Sequence, residues 1–350
     1  MLFRSYVLDR GVYNSYRQEV PAQALPRVFR WNEKLPRNRL GLAAWLFDPQ
    51  HPLTARVYLN RMWQAHFGDG IVQTADDFGT QGTNPTHPEL LDYLAVEFVR
   101  SGWDIKHMHK LMVMSATYRQ NSNVSAENLE KDPRNFLLER GPRFRLPAET
   151  IRDAALMASG LLVKRVGGDA VFPYAPDAIW EGVAQGQVVY PTNVPPEENY
   201  RRSMYTFIKR NATVPNLVPF DMPDRRDAQV IRPTSNTPLQ GLAMLNDTQF
   251  MEAYRKLAER AIKSSANGDE QLITMWRLAL RRHPDAAELA AMKAYRSSQV
   301  ARMQEAPDDA KKLIAIGLAA ADPEVDPVEL AALTIVTAGV MNTPDAYTLR

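Results

Sequence analysis

The sequence predicts a mainly α fold: an irregular multi-helix domain with long, ordered, Pro-rich loops and a minor short-strand element. Three observations carry that prediction. Apolar residues recur at three- and four-residue spacing in several windows, as in Leu90, Leu91, Leu94 and Phe98, which is the period of a helix with one buried face. The 25 prolines gather between those windows, where a fixed φ stiffens a connection without breaking a helix. Only short runs, Tyr6-Val7-Leu8 and Ser203 to Ile208, have the aromatic and β-branched character of strands.

In chain order, residues 1–35 read as an N-terminal extension, and 36–350 as a single large module. That module divides into a helical stretch (36–140), a loop- and strand-rich stretch (141–236) and a second helical stretch (237–350). Cores stop growing near roughly 250–300 residues, so 350 residues suit one large irregular domain or two intimate subdomains. Asn38 caps a first helix through Leu40, Leu42, Ala43, Trp45 and Leu46, which Pro49 stops. His51-Pro52 opens a second, with Val57, Leu59, Met62 and Trp63 as its apolar positions, and Gly68 and Gly70 end it. After a loop from Thr74 to Asn84, Thr86-His87-Pro88-Glu89 has the form of a capping box. Asp104 caps the next helix, through Leu111, Val113 and Met114. Leu146-Pro147-Ala148-Glu149 starts another, with proline in its first turn. Residues 163–198 read as loop with short strands and Pro215 to Pro233 as loop. Helices follow near 238–263, 269–282, 285–304 and 327–341. The run Leu330 to Val340 is too short to span a bilayer, which takes roughly 18 residues or more, and reads as a buried helix. No membrane span is expected.

Composition excludes several function classes. There is no cysteine, hence no disulfide, no thiolate zinc site, no cysteine nucleophile and no haem attached through Cys-x-x-Cys-His. Lysine and arginine total 42 against 40 acidic residues, a balance that creates no field to attract nucleic acid. No Walker loop, dinucleotide fingerprint or Gly-x-Ser-x-Gly elbow is present. The opening Met-Leu-Phe-Arg-Ser-Tyr lacks the basic-then-apolar order of a signal peptide. A cytoplasmic protein, or a piece of a longer exported one, is the expectation.

Three polar clusters remain as candidates for chemistry. The first is Asn60, Arg61, His66, Asp76, Asp77 and His87. Two histidines with nearby carboxylates can bind a borderline metal or act as an acid–base pair. The bland alternative is that the aspartates fix loop amides and the histidines make hydrogen bonds at helix ends. The second is Arg201 and Arg202 with Asp221, Asp224, Arg225 and Arg226. Arginine can clamp a carboxylate, phosphate or sulfate, or pair with the aspartates across a loop. The third is Arg232, Asn236, Thr237, Gln240, Asn246 and Asp247. Asn236 or Thr237 would cap a helix, and Asn246-Asp247 inside it implies a kink or a buried polar role, with a binding site as the sharper alternative. Asn60, Arg61, Arg201, Arg202, Asp221, Asp224, Asn236 and Asn246 are the candidate ligand-binding residues of the three clusters. His107 and His109 cannot share one helix face and read as surface or boundary residues. Trp45, Trp63, Trp103 and Trp276 read as core, whereas Trp180 and Tyr190 in a Pro-rich loop can stack on a sugar or plug the loop into the core.

The run HPLTARVYLNRMWQAHFGDGIVQTADDFGTQGTNPTHPELLDYLAVEFVRSGWDIKHMHKLMVMSATYRQ resembles the signature of domain of unknown function 1553, the C-terminal module of planctomycete-type proteins. RLPAETIRDAALMASGLL, YRRSMYTFIKRN, FDMPDRRDAQVIRPTSNTPLQGLAMLND and RLALRRHPDAAEL continue the match in order, from about residue 36 onward. The resemblance implies an exported protein whose relatives carry an upstream cytochrome-c-like domain and a second uncharacterised domain. Some carry carbohydrate-binding or laminin-like modules, and a sulfatase-like protein is a frequent gene neighbour. Extracytoplasmic localisation follows as an expectation. No cofactor is expected in this chain, which lacks the haem motif; a metal stays open. The expected partners are the upstream cytochrome-c-like domain, the sulfatase-like neighbour and polysaccharide.

The expected function is an uncharacterised module acting on or binding polysaccharide beside a cytochrome-c-like domain. His66 or His87 would move the proton, Asp76 or Asp77 would assist it or ligate a metal, and Arg201 and Arg202 would hold a sulfate or uronate. The competing expectation is a non-enzymatic scaffold that docks partner proteins. The two differ in whether the clusters converge on one open pocket or are dispersed and internally paired.

Overall fold

Helix dominates the computed structural model, which describes residues 5–172, 195–208, 214–223 and 228–349. The chain divides into two compact units, Met1–Arg143 and Phe144–Arg350.

The first unit opens with an antiparallel hairpin, β1 (Ser5–Leu8) and β2 (Tyr16–Val20). Ser5 faces Val20 and Leu8 faces Tyr16, with a register irregularity between Tyr6 and Leu8. Then come α1 (Arg39–Leu46), α2 (Thr54–Phe67), α3 (Pro88–Arg100), α4 (Ile105–Val113) and α5 (Ala126–Lys131). Asn38 and Asp104 cap α1 and α4 as the sequence indicates, accepting from Gly41 N and His107 N, each at 3.0 Å. The core joins the apolar stripes of three helices: Leu59, Met62 and Trp63 of α2, Leu91, Leu94 and Phe98 of α3, and Met108 and Met112 of α4. Each such side chain contributes roughly 1.5–3 kcal/mol by leaving water, so this stripe packing, rather than propensity, fixes where α2 and α4 present their polar faces.

Two helix starts differ from expectation. α2 begins at Thr54, not at His51. The His51 ring stays outside the helix, and its Nδ1 accepts from Leu53 N and Thr54 N at 3.3 and 3.2 Å. The capping box at Thr86 does not form. α3 begins at Pro88 with His87 as its N-cap and no side-chain cap bond. Thr86 instead ties to Ile71, with its amide 2.9 Å and its hydroxyl 3.3 Å from that carbonyl. A residue before proline avoids helical backbone, and His87 sits at φ −134°, ψ 81°. The local motif therefore loses to a tertiary bond.

The second unit holds α6 (Ala148–Ser159), α7 (Pro238–Asn246), α8 (Thr248–Ser264), α9 (Gly268–Leu280), α10 (Ala286–Glu305), α11 (Pro307–Ile314), α12 (Pro327–Met341) and α13 (Pro344–Tyr347). A two-stranded antiparallel pair, β3 (Phe144–Arg145) and β4 (Thr348–Leu349), joins its two ends. As expected, α12 is the buried helix, with Leu330, Ala331, Ala332 and Leu333 all at 0% exposure. It packs in one core with α8, whose Leu257, Ala258 and Ala261 face inward. α11 is absent from the sequence reading, although Pro307, the acidic Asp308 and Asp309 in its first turn and Lys311 and Lys312 in its last suit the helix dipole.

The strand expected over Ser203 to Ile208 is not one. Ser203–Tyr205 forms a single 3₁₀ turn, and Thr206 makes one isolated bridge with Val171. The cause is polar anchoring. Asp153 Oδ1 accepts from both Ser203 N (2.8 Å) and Ser203 Oγ (2.7 Å), which bends the chain where a ladder would need it straight. Asn246-Asp247 is a kink, not a mid-helix pair. α7 ends at Asn246, and Asp247 Oδ1 caps α8 by accepting from Gln249 N and Phe250 N.

Candidate functional site

In the first unit, Asn60 is wholly buried on α2 and acts as a piece of backbone. Its Nδ2 donates to Val72 O at 2.9 Å and its Oδ1 accepts from Val72 N at 2.8 Å. This closes the loop after α2 onto the helix. Arg61, one residue on, points to solvent, as does Asp76. Asp77 Oδ1 accepts from Gly79 N at 2.6 Å, a loop-fixing role. His87 lines a small cleft with Trp63, Phe67, Asp69 and Arg134. Its Nδ1 lies 3.0 Å from Thr86 Oγ1, and beside it Arg134 pairs with Asp69 at 2.7 Å.

His66, in the last turn of α2, turns to α4 instead. Its Nε2 lies 2.8 Å from Nδ1 of His109, and Tyr118 packs edge-on against its ring with centroids 5.7 Å apart. Burial, and then the neighbouring His109, push His66 below the ordinary imidazole value. His66, Asp77 and His87 thus have three separate partner sets, not the shared network that their nearness in sequence suggests. His109 was legible only as a residue that cannot share a helix face with His107. The structure gives that its meaning: His107 Nε2 reaches Glu97 of α3 at 3.0 Å, while His109 reaches α2.

In the second unit, Arg201 is 0% exposed. Its guanidinium donates to the carbonyls of Gly167 (2.6 Å), Arg165 (3.2 Å) and Asp169 (3.2 Å), and it lies over the Tyr205 ring at 3.9 Å. Arg202 is exposed. The pairing of this arginine pair with Asp221 does not occur. Asp221 is held by Arg145 and by Ser235, whose hydroxyl donates to Oδ1 at 2.7 Å. The reason is the backbone: Arg201 and Arg202 lead into a 3₁₀ turn anchored on α6 rather than into a strand. Asn236 is exposed, and Asn246 donates to Leu242 O at 2.8 Å within its own helix. Asp224, with Arg225, Arg226, Trp180 and Tyr190, lies outside the described residues.

Two buried groups escaped the sequence reading. Arg152, inside the apolar stripe of α6, is 1% exposed. It donates to Gln249 Oε1, Asn199 O, Arg201 O and Ser203 Oγ. Glu252 of α8 is 2% exposed and accepts from Tyr200 Oη, Leu318 N and Ala319 N. A charged residue amid an apolar helical stripe was the signal for each. A cleft of about 400 Å³ between Gln271, Arg296, Ser297, Val300 and Glu329 contains none of the expected residues. Among the described residues, no group of three or more His, Asp or Glu side chains comes together to cage a metal. No helix there is long and apolar enough to cross a membrane.

Asp247 offers a pH test of this polar interior. Burial raises its carboxyl pKa above the usual 3.8, against the opposing hydrogen bonds at the α8 cap. A raised folded value means stability that is full below pH 3.8 and is lost as pH rises through the folded value. Asp247→Asn keeps a good N-cap acceptor without the charge. The difference in unfolding free energy between wild type and variant is therefore expected to shift in favour of Asn as pH rises from about 4 to 7. Denaturant melts at several pH values measure this; a constant difference would refute the assignment.

Fold and sites together define a helical module whose polar residues mostly bind their own chain. The family model described as "PSD1: Protein of unknown function (DUF1553)" matches residues 38–296, and the chain belongs to that family. Neither a curated protein nor a solved structure matches it.

Proposed function

We propose that this chain is a non-enzymatic docking module, a helical scaffold that holds partner domains. The observation that supports this reading is where the candidate residues direct their hydrogen bonds. Asn60 holds Val72, Asp77 holds Gly79, Arg201 holds three carbonyls, and Asp221 holds Arg145 and Ser235. A general acid–base pair must reach the substrate's proton within a hydrogen bond, whereas Asp77 directs its Oδ1 to a loop amide and the other three hold loops of their own chain in place. A surface suited to docking accompanies them. Leu239, Leu242 and Leu245 of α7 are 57%, 57% and 40% exposed at a spacing that puts them along one side of the helix.

The partner proposed is a cytochrome-c-like domain of the kind found upstream in the family, with a sulfatase-like neighbour as a second partner, outside the cytoplasm. The competing reading, action on or binding of polysaccharide, finds support in exposed Arg202 and Arg61. One experiment separates them. Binding of the purified chain to a family cytochrome-c-like domain is measured by calorimetry, alongside binding and turnover of sulfated and uronic oligosaccharides. Docking predicts domain binding that Leu239→Asp with Leu242→Asp weakens by tenfold or more, roughly 1.4 kcal/mol, and no turnover. Oligosaccharide turnover lost in His66→Ala or His87→Ala, or sugar binding lost in Arg202→Ala, would replace the docking reading by the polysaccharide one.

A further inference from the structure

The contact between His66 and His109 has a use that neither loop-locking nor docking absorbs. The two residues are 43 positions apart and meet with Nε2 and Nδ1 at 2.8 Å, their rings edge to face at 78°. Both backbones are held firmly. His66 follows Met62 and Trp63 on α2, and His109 lies between Met108 and Met112 on α4, all four neighbours buried in the core at 0–6% exposure. One side of the pair is walled by Tyr118, which also packs edge-on against Phe67 at 5.6 Å. The other side is open, since His109 is exposed and His66 is half-buried.

We propose that His66 and His109 form a two-imidazole site for a borderline divalent transition metal, with water completing the coordination. Imidazole nitrogen binds such ions at about 2.0–2.1 Å, so two ligands at a right angle stand about 2.9 Å apart and two at the tetrahedral angle about 3.4 Å. The 2.8 Å separation is close to the right-angle case, the tetragonal arrangement of copper(II) and nickel(II). Two neutral imidazoles sharing a hydrogen bond present one proton and one lone pair to each other. On binding, the donor ring shifts its proton to its far nitrogen, both facing nitrogens offer lone pairs, and two water ligands leave the metal. No net proton is released and nothing is oxidised. The site joins α2 to α4, so occupancy stabilises the first unit. It stands independently of the docking reading.

The test uses the 350-residue chain and copper(II) itself, followed by calorimetry and by electron paramagnetic resonance. The expected result is one tight site per chain with superhyperfine splitting from two nitrogens and a raised melting temperature. His66→Gln and His109→Gln keep the side-chain size and a hydrogen-bonding group. Each is expected to lower the affinity tenfold or more, because the second ligand no longer acts at the high effective concentration that the fold provides. His107→Ala, two residues away and directed to Glu97, leaves the site intact. Circular dichroism of the apo variants shows whether they fold. Copper bound through two nitrogens in His66→Gln or His109→Gln, or a wild type that binds no more tightly than a variant carrying both His66→Gln and His109→Gln, overturns the proposal.

Discussion

Replacing Arg152 with methionine is expected to lower the stability of the second unit by roughly 3–5 kcal/mol, the usual cost of removing one side of a buried charged network. The guanidinium donates to Gln249 Oε1 at 2.6 Å, Asn199 O at 2.6 Å, Arg201 O at 2.9 Å and Ser203 Oγ at 3.0 Å. Burial lowers its pKa to about 10, so it remains charged at neutral pH and its bonds are charge-assisted. Methionine fills similar space yet leaves the acceptors without that donor, at roughly 1–3 kcal/mol for each group left unsatisfied. The network ties α6 and α8 to the segment carrying Arg201, so the loss should spread through that segment. Arg202→Ala is the contrast. That side chain is exposed, and surface changes of this kind stay within roughly 0.5 kcal/mol. Denaturant unfolding of both variants checks the pair. A loss below about 1 kcal/mol for Arg152→Met would show that the acceptors re-pair with water or with each other.

Gly317→Ala is expected to cost roughly 2–4 kcal/mol, from backbone strain together with displacement of a buried carboxylate. Gly317 has φ +98°, and a Cβ there would stand 2.5–2.6 Å from the Cβ, Cγ and Cδ of Glu252. Glu252 cannot move aside freely. Its Oε1 accepts from Tyr200 Oη at 2.8 Å, Leu318 N at 2.7 Å and Ala319 N at 2.5 Å. The glycine lets the backbone after α11 wrap the carboxylate closely enough for two successive amides to point at it. A double-mutant cycle with Glu252→Ala measures the coupling. The combined loss should fall short of the sum by 0.5 kcal/mol or more, in the usual range for residues in contact. Simple additivity would place the cost in the backbone alone.

The helices were largely legible because their evidence is local. Asn38 and Asp104 cap where they stand, and α12 shows its burial in an unbroken apolar run. The 3₁₀ turn at Ser203 was not legible, because its residues suit a strand and Asp153, 50 positions earlier, bends them into a turn. Thr86 carried a sound capping motif, yet its hydroxyl went to Ile71. Both misreadings arise where a side chain prefers a distant partner to a near one.

The polar clusters follow the same division. Sequence alone determined a mainly helical, cysteine-free chain of balanced charge, its family, and the fact that Asn60 lies on a helix with His66 one to two turns further on. Nearness along the chain then suggested the wrong companions, His87 for His66 and Arg201 for Asp221. Only the tertiary structure decided that His66 meets His109, that Arg145 takes Asp221 and that Arg152 and Glu252 anchor the interior of the second unit. A hydrogen bond is settled within about 3 Å of space, whatever number of residues lies between its ends, and it is the packing of α2 on α4 and of α6 on α8 that brings those ends together.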